Sequence, residues 1–585
     1  MCVGSINFIS RLIEKHAMVF NFDLRKYKTD KIYNLLFAIL LVFLISIRLF
    51  ALNQPLFDDE TNFVQSISNP GPYYTINPFG IHPHPPLGGW GYFLFGTLLG
   101  LEVWVYRLLP LFFWIFNITL VYLLVKKYYS SKAALFSSLL MGLSYYSMLI
   151  SLQIDIEGSF LTTSFLLMTL FYLNYLRINK RVYLFLLGIS FGIGLWIKIS
   201  AIFFIPVLVL HRFITLKKKK KSILQCFKII LLEILMVLGI GGLLFSIFPI
   251  FMPNLFLRTI GNGTSYYGLN VSLMAISMLF FWATPLLIGL FLFQALKFKE
   301  KDYFWVIWGA VIFSIYTFLI QGRPGTHGAI GGVAEYSRHF MNLIIPFSVI
   351  GGVFLSNLKM DKIKLIFGFI LSLLILTFFY LINFNTIRVL PRDFSIYLNA
   401  IFSLDFNFLF SFTTSSGNLL GVNFGIILFS IIFSIILFLV YYLFKSLKRK
   451  ELVGWILVIF ISLGVALNLF LVTEYLGPVT SPDVNEIFDE MVDYASKNNI
   501  NQTLYTTDEG LMLAFNKLQY ELGKNQLIFG PNLEYIPNEL HGTVLFLNWA
   551  PKLENKKLSD LLKKCMIKKV FSSNDIVLGK VYYCY

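Results

Sequence analysis

Thirteen long apolar runs interrupt this 585-residue chain, and no soluble core could bury them all. A helix crosses the hydrocarbon layer of a bilayer with about 20 mostly apolar residues. The runs lie at about 34–51, 108–125, 133–151, 158–176, 183–198, 200–214, 224–249, 272–296, 303–320, 339–357, 363–384, 419–444 and 452–474. They account for 57% hydrophobic against 14% charged residues, where soluble domains carry roughly 45–50% and about 25%. That composition excludes a soluble enzyme, a disordered chain and a disulfide scaffold.

The charges orient the runs. The net charge of +17 reads first as a nucleic-acid signal, but in a membrane protein basic residues gather in cytoplasmic loops. Residues 1–33 are basic and lack the apolar stretch of a cleavable signal, so they read as a cytoplasmic N-terminus. With that start, thirteen crossings place 29 Lys and Arg on the cytoplasmic side of the membrane part and 8 on the other. A fourteenth apolar segment, about 86–101, is short and rich in Gly and Pro. If it crossed, every later loop would invert and Lys217–Lys221 would face outside, against the charge rule. It therefore reads as a re-entrant or interfacial helix on the outer side. Residues 475–585 hold 11 Lys and 13 acidic residues and alternate strand-like with helix-like segments, including strands near 504–507, 527–530, 544–549 and 576–584 and a helix near 557–566. The expected architecture is an all-α polytopic membrane protein: cytoplasmic residues 1–33, a membrane domain over 34–474, and a small extracytoplasmic α/β domain over 475–585. Of four cysteines, Cys2, Cys226, Cys565 and Cys584, only the last two share an oxidising compartment, so one disulfide is allowed and none is required.

Chemistry is expected where ionisable residues break the outer surface. The outer loop 52–85 contains no Lys or Arg but carries Asp58, Asp59 and Glu60 in succession. Adjacent acids repel, which raises the pKa of at least one unless a cation compensates. The same residues also suit a solvated turn capping a helix near Thr61. Asp155 and Glu157 form a second acidic pair between two apolar runs, and acids at the membrane boundary are costly enough to suggest function. Lys198 interrupts two otherwise apolar runs, Arg107 follows the short segment, and Arg338 and His339 open a later run. Such cations either snorkel to headgroups or grip phosphate oxygens. Acids and cations converging on one face of a bundle describe a site that binds an anionic lipid headgroup and does acid/base work. Glu233 reads as an interfacial residue about a turn inside a cytoplasmic helix end. No P-loop, GxGxxG turn or HExxH motif is present.

The order of these pieces resembles a family. Asp59-Glu60, His84-Pro85-Pro86-Leu87, Arg107, Asp155, Gly194-Leu195-Trp196-Ile197-Lys198 and Arg338-His339-Phe340 followed by Pro346 are similar to the motifs of the GT-C superfamily of integral-membrane glycosyltransferases. The nearest groups are the protein O-mannosyltransferases and the lipid A aminoarabinose transferases. The resemblance implies transfer of a sugar from a polyprenyl-phosphate donor to a lipid, protein or glycan acceptor on the outer face. It assigns the base to Asp59, with Asp58 as rival and Glu60 as neighbour. It gives Asp155 a positioning role and puts Lys198 and Arg338 near the carrier phosphate. His84, Arg107, Glu157 and His339 complete the expected substrate-binding set. His339 stands where the family usually has Tyr, and Gln153 where many relatives have Arg. No cofactor is implied; the acidic triplet could hold a divalent metal, which the reaction does not require. The setting implied is a prokaryotic plasma membrane with the site facing outward. The alternative of another class is a transporter or flippase of a lipid-linked sugar, for which repeated halves and midplane charges would be expected.

Overall fold

The computed structural model describes residues 31–52, 85, 87–100, 103–155, 157–251, 286–294, 299–315, 342–358, 439–448, 450–476 and, towards the C-terminus, parts of 490–505, then 527–529, 542–547, 562–573 and 576–584, with a few isolated positions. Apolar helices dominate it. In chain order they are α1 (Lys31–Leu49), α2 (Leu87–Leu99), α3 (Val103–Tyr128), α4 (Ser131–Leu143), α5 (Tyr145–Leu152), α6 (Thr162–Ile178), α7 (Arg181–Ile197), α8 (Ile205–Lys218), α9 (Ile223–Phe251), α10 (Tyr303–Ile315), α11 (Ile344–Asn357) and α12 (Lys450–Leu476). Among the described residues, five helical segments are long and apolar enough to cross a membrane: Lys31–Leu49, Trp104–Tyr128, Gly158–Ile178, Ile199–Lys218 and Ile223–Ile247. The stretches expected at 272–296, 363–384 and 419–444 lie largely outside the described residues.

The outward faces are apolar too. On α1, Ile32, Leu35, Ile39, Val42 and Phe43 are exposed, and on α9 so are Leu231, Leu232, Leu235 and Leu243. In water such a surface would aggregate; against acyl chains it is the expected solvent-facing side of a polytopic bundle.

Lipid supplies no hydrophobic drive between helices, so they associate through close packing of small residues. Gly188 and Gly192 of α7 form a GxxxG step that admits Ile240, Gly241 and Leu244 of α9. Gly352 of α11 lies against Ser137 of α4, where an added Cβ would fall 2.5 Å from the Ser137 backbone nitrogen and 2.8 Å from its Cα. Backbone cannot yield there as a side chain would. Gly352→Ala is accordingly expected to lower stability by about 1–3 kcal/mol, read as a lower thermal midpoint in detergent, whereas Gly454→Ala, with open space around it, should leave the midpoint unchanged.

Two expectations in the membrane part need correction. The run 133–151 is not one helix. It breaks at Ser144, which leaves the helical region at ψ 135° and then caps α5, its Oγ accepting from the Ser147 N–H at 3.1 Å. Glu233 does not sit near a helix end. It lies ten residues into α9, about three turns, where Arg212 reaches its carboxylate at 2.9 and 2.6 Å and the Tyr175 hydroxyl donates to it at 2.7 Å.

The C-terminal region forms a five-stranded mixed sheet. Its strands are β1 (Gln502–Tyr505), β2 (Leu527–Phe529), β3 (Gly542–Leu547), β4 (Cys565–Ser573) and β5 (Ile576–Cys584), in the order β2-β1-β3-β5-β4. β1 pairs in parallel with β2 and β3, while β5 runs antiparallel to β3 and β4. The helix expected over 557–566 does not reach its end, because Cys565 and Met566 begin β4. β-Pairing with β5 overrides the local helical pattern, and Cys565 faces Cys584 across the hairpin with a disulfide between them.

Candidate active site

The site is built where helices end. α1 ends at Leu49, α3 begins at Val103, α5 ends at Leu152, α7 ends at Ile197 and α11 begins at Ile344. Contacts between these ends gather them on one side of the bundle, opposite the lysine-rich turns at 126–132, 177–181 and 217–221.

Asp155 lies in the connection between α5 and α6 and is only 4% exposed. Its backbone carbonyl accepts from the Tyr92 hydroxyl at 2.9 Å. Tyr92 belongs to α2, the short helix anticipated at 86–101. With 13 residues it is about 20 Å long, short of the roughly 30 Å hydrocarbon layer. It rests on the bundle through Gly88, Tyr92 and Gly96, one residue per turn. Tyr92 also meets Phe160 edge-on at 5.6 Å, and Trp90 lies 5.7 Å from the Trp196 ring, two residues before Lys198. The short helix thus bridges the Asp155 turn and the Lys198 turn.

Lys198 stands at a true break. It has extended backbone, φ −157° and ψ 137°, closing α7 and opening a 3-10 turn at Ile199–Phe204. Its N–H donates to Gly194 O at 2.8 Å and its carbonyl accepts from Ala201 N at 3.0 Å. Gly194 is needed for that turn, since a Cβ would collide with Ser164 Oγ and press on Ala201. The side chain is half-buried, which fits neither a buried ion nor a fully solvated one.

Arg107 is 1% exposed in the second turn of α3 and donates from Nη1 to Leu52 O at 3.1 Å. Leu52 is the last described residue before the acidic loop, so Arg107 holds the point where that loop departs. Arg48, in sequence one of eight outer cations, does the same from the other side. It is fully buried. Its guanidinium lies 3.6 Å from the Trp114 ring centroid and donates to Ser151 Oγ at 2.7 Å, Gly142 O at 3.0 Å and Leu44 O at 3.0 Å. Gly142 is in the last turn of α4, whose carbonyls lose helical partners at the Ser144 break. Arg48 supplies one of the missing donors.

The turn leading into α6 is a π-helical one, Glu157–Leu161. Such turns leave carbonyls poorly satisfied and are frequent at functional sites. Buried Asn117 corrects this one, donating to Ser159 O at 2.8 Å and accepting from Thr163 Oγ1 at 2.7 Å. Thr162 donates to Asn342 Oδ1 at 2.9 Å, which brings the entrance of α11 to the same turn. Asn117 and Asn342 carried no sequence signal, being single amides inside apolar runs.

Asp58, Asp59, Glu60, His84, Arg338 and His339 lie outside the described residues, as does the side chain of Glu157. The described flanks of their segments, Leu52 and α2 for the acidic loop and Asn342 for the second, belong to the end that holds Asp155, Arg107 and Lys198. Among the described residues no group of three His, Cys, Asp or Glu side chains could hold a metal ion.

Residues 83–245 match the family model described as dolichyl-phosphate-mannose-protein mannosyltransferase. The match takes in Arg107, Asp155 and Lys198. No curated protein sequence is significantly similar to the chain. Among solved structures, ArnT from Cupriavidus metallidurans bound to undecaprenyl phosphate superposes with a TM-score of 0.59 at 14% identity, covering 93% of this chain and 98% of that one. The apo state of the same protein gives 0.58 at 13% identity, over 93% and 97%. At such identity the likeness is one of fold, and it runs through nearly the whole length of both chains. In that fold and in the matched sequence of residues 83–245, the chain resembles the GT-C superfamily of integral-membrane glycosyltransferases, of the mannosyltransferase and aminoarabinose transferase kind.

Proposed function

We propose that the chain transfers a sugar, a hexose or pentose, from a polyprenyl-phosphate-linked donor to an acceptor hydroxyl or phosphate at the outer face of a prokaryotic plasma membrane. The observation that carries the reading is the convergence at one bundle end of a buried acid, Asp155, with Arg107 and the half-buried Lys198, beside the flanks of the loop that bears Asp58, Asp59 and Glu60. The polyprenyl phosphate bound to ArnT, which shares the fold, supports a lipid phosphate as the leaving group.

In this reading the acceptor oxygen attacks the anomeric carbon as its bond to the carrier phosphate breaks. The acceptor proton passes to Asp59. Negative charge grows on the leaving phosphate, where Lys198 and Arg338 stabilise it. Asp155 orients the reacting groups, with Asp58, Glu60, His84, Glu157 and His339 lining the substrate. The prenyl chain lies against the apolar outer surface of the helices. The acceptor is a lipid, a protein or a polysaccharide.

The test is a transfer assay with purified protein and a panel of radiolabelled polyprenyl-phosphate sugars. Turnover of one donor is expected. A thermal shift with a donor that is never turned over would favour a transporter or flippase; neither shift nor turnover with any donor would overturn the reading. In the same assay Lys198→Ala should raise the donor KM by about tenfold, the worth of one charge-assisted hydrogen bond. An unchanged KM would make Lys198 a snorkelling residue with no part in donor binding.

A further inference from the structure

We propose that the lysine-rich end of the bundle carries a second site, one that binds the phosphate of an anionic phospholipid headgroup. A cavity of about 630 Å³ opens there between the last turns of α6 and α8 and the start of α10. It is separate from the candidate active site. Arg107 and Tyr128, which lines the cavity, are 21 residues apart on α3, hence about 30 Å. That is one hydrocarbon thickness, so the cavity lies at headgroup depth in the opposite leaflet.

Its walls are cationic. Arg177, Lys218, Lys219 and Lys301 line it against a single acid, Glu300. Lys218 contacts that acid at 2.8 Å, but the Glu300 side chain is 80% exposed, and exposed pairs of this kind are weak. A phosphate can displace it. The Lys218 ammonium lies 4.1 Å from the Tyr303 ring centroid, and that of Lys301 lies 4.7 Å from the Tyr129 ring. Rings hold the ammonium groups in place without neutralising them. The nearby carboxylate of Asp302 is turned to other donors, accepting from the Lys299 N–H at 2.9 Å and Gln294 Nε2 at 3.3 Å. Tyr128 lines the cavity, and its buried hydroxyl has no hydrogen-bond partner among the described residues. Leu173, Leu176, Ile214, Phe304 and Trp305 add apolar lining, a surface suited to the glycerol and the first acyl carbons. A soluble phosphate ester would make no use of that surface.

Native mass spectrometry of the full-length protein in detergent tests this, with phosphatidylglycerol, phosphatidylcholine and inorganic phosphate as probes. Phosphatidylglycerol should be retained over phosphatidylcholine. Arg177→Gln with Lys219→Gln should weaken that retention by about tenfold or more, each cation near a lipid surface being worth about fivefold. Lys220→Gln with Lys221→Gln removes the same charge from exposed positions outside the cavity and should change nothing. Glu300→Gln, at an exposed position, should strengthen retention by about twofold. Equal losses from the two lysine and arginine pairs would mean diffuse surface charge and would overturn the site. Binding of inorganic phosphate as strong as that of phosphatidylglycerol, with the two lipids retained equally, would overturn the lipid as its occupant.

Discussion

Asp59→Asn is expected to lower kcat for sugar transfer by about 10²–10⁴-fold, the usual contribution of a positioned proton acceptor. The amide keeps the size and planarity of the carboxylate but cannot take the acceptor proton. Expression and thermal midpoint should match the wild-type protein, because the change is isosteric. KM for the donor should move little, since the proposed reading gives the donor phosphate to Lys198 and Arg338. Asp58→Asn is the necessary companion. Full activity of Asp59→Asn with loss in Asp58→Asn would move the base one residue back, and loss in neither would remove the acidic triplet from the chemistry.

The second large effect concerns stability. Arg48→Ala should cost about 3 kcal/mol or more. It removes a guanidinium that is stacked on Trp114 and donates to Ser151, Gly142 and Leu44. The loss has three sources: a cation–π contact worth about 2 kcal/mol when desolvated, an unsatisfied Gly142 carbonyl worth about 1–3 kcal/mol, and the void left behind. Arg48→Lys should recover only part, because an ammonium cannot stack on the indole while forking to two acceptors. Thermal unfolding in detergent measures both. Activity at permissive temperature should fall with Arg48→Ala as well, since Arg48 fixes the end of α1 from which the acidic loop departs. A midpoint within error of wild type would mean that α1 is held in place by its apolar face alone.

The membrane helices were legible because hydrophobicity over about 20 residues is a local property that survives any tertiary arrangement. The helices at 31–49, 103–128, 157–178, 181–197, 199–218 and 223–251 fall on apolar runs read from composition alone. Breaks inside those runs were less visible. Lys198 announced one, because a lone lysine between apolar stretches has few places to go. Ser144 did not, since a serine fits a membrane helix as readily as it caps the next one. The C-terminal strand at 565–573 was missed for a related reason. CMIKKVFSS has no clear period, and pairing with 576–584, with the Cys565–Cys584 bond, makes it a strand.

The candidate site divides along the same line. Asp155, Arg107 and Lys198 were readable because a charge beside a bilayer is conspicuous against apolar neighbours. Tyr92, Asn117 and Asn342 were not, because uncharged polar residues are common in membrane helices and their importance lies in which carbonyl or amide they meet.

The sequence by itself determined that this chain carries many apolar helices, with most basic residues of the membrane part in the loops on one side, since hydropathy and charge count act residue by residue. It also determined which few ionisable residues stand against that background. Only the tertiary structure decided that the short helix bridges Asp155 and Lys198, that Arg48 is an internal brace, and that four cations at the opposite end line one cavity. These depend on contacts between segments far apart in the chain, such as Arg48 with Ser151 and Tyr92 with Asp155. Such partners are selected by the packing of whole helices, which no local pattern encodes.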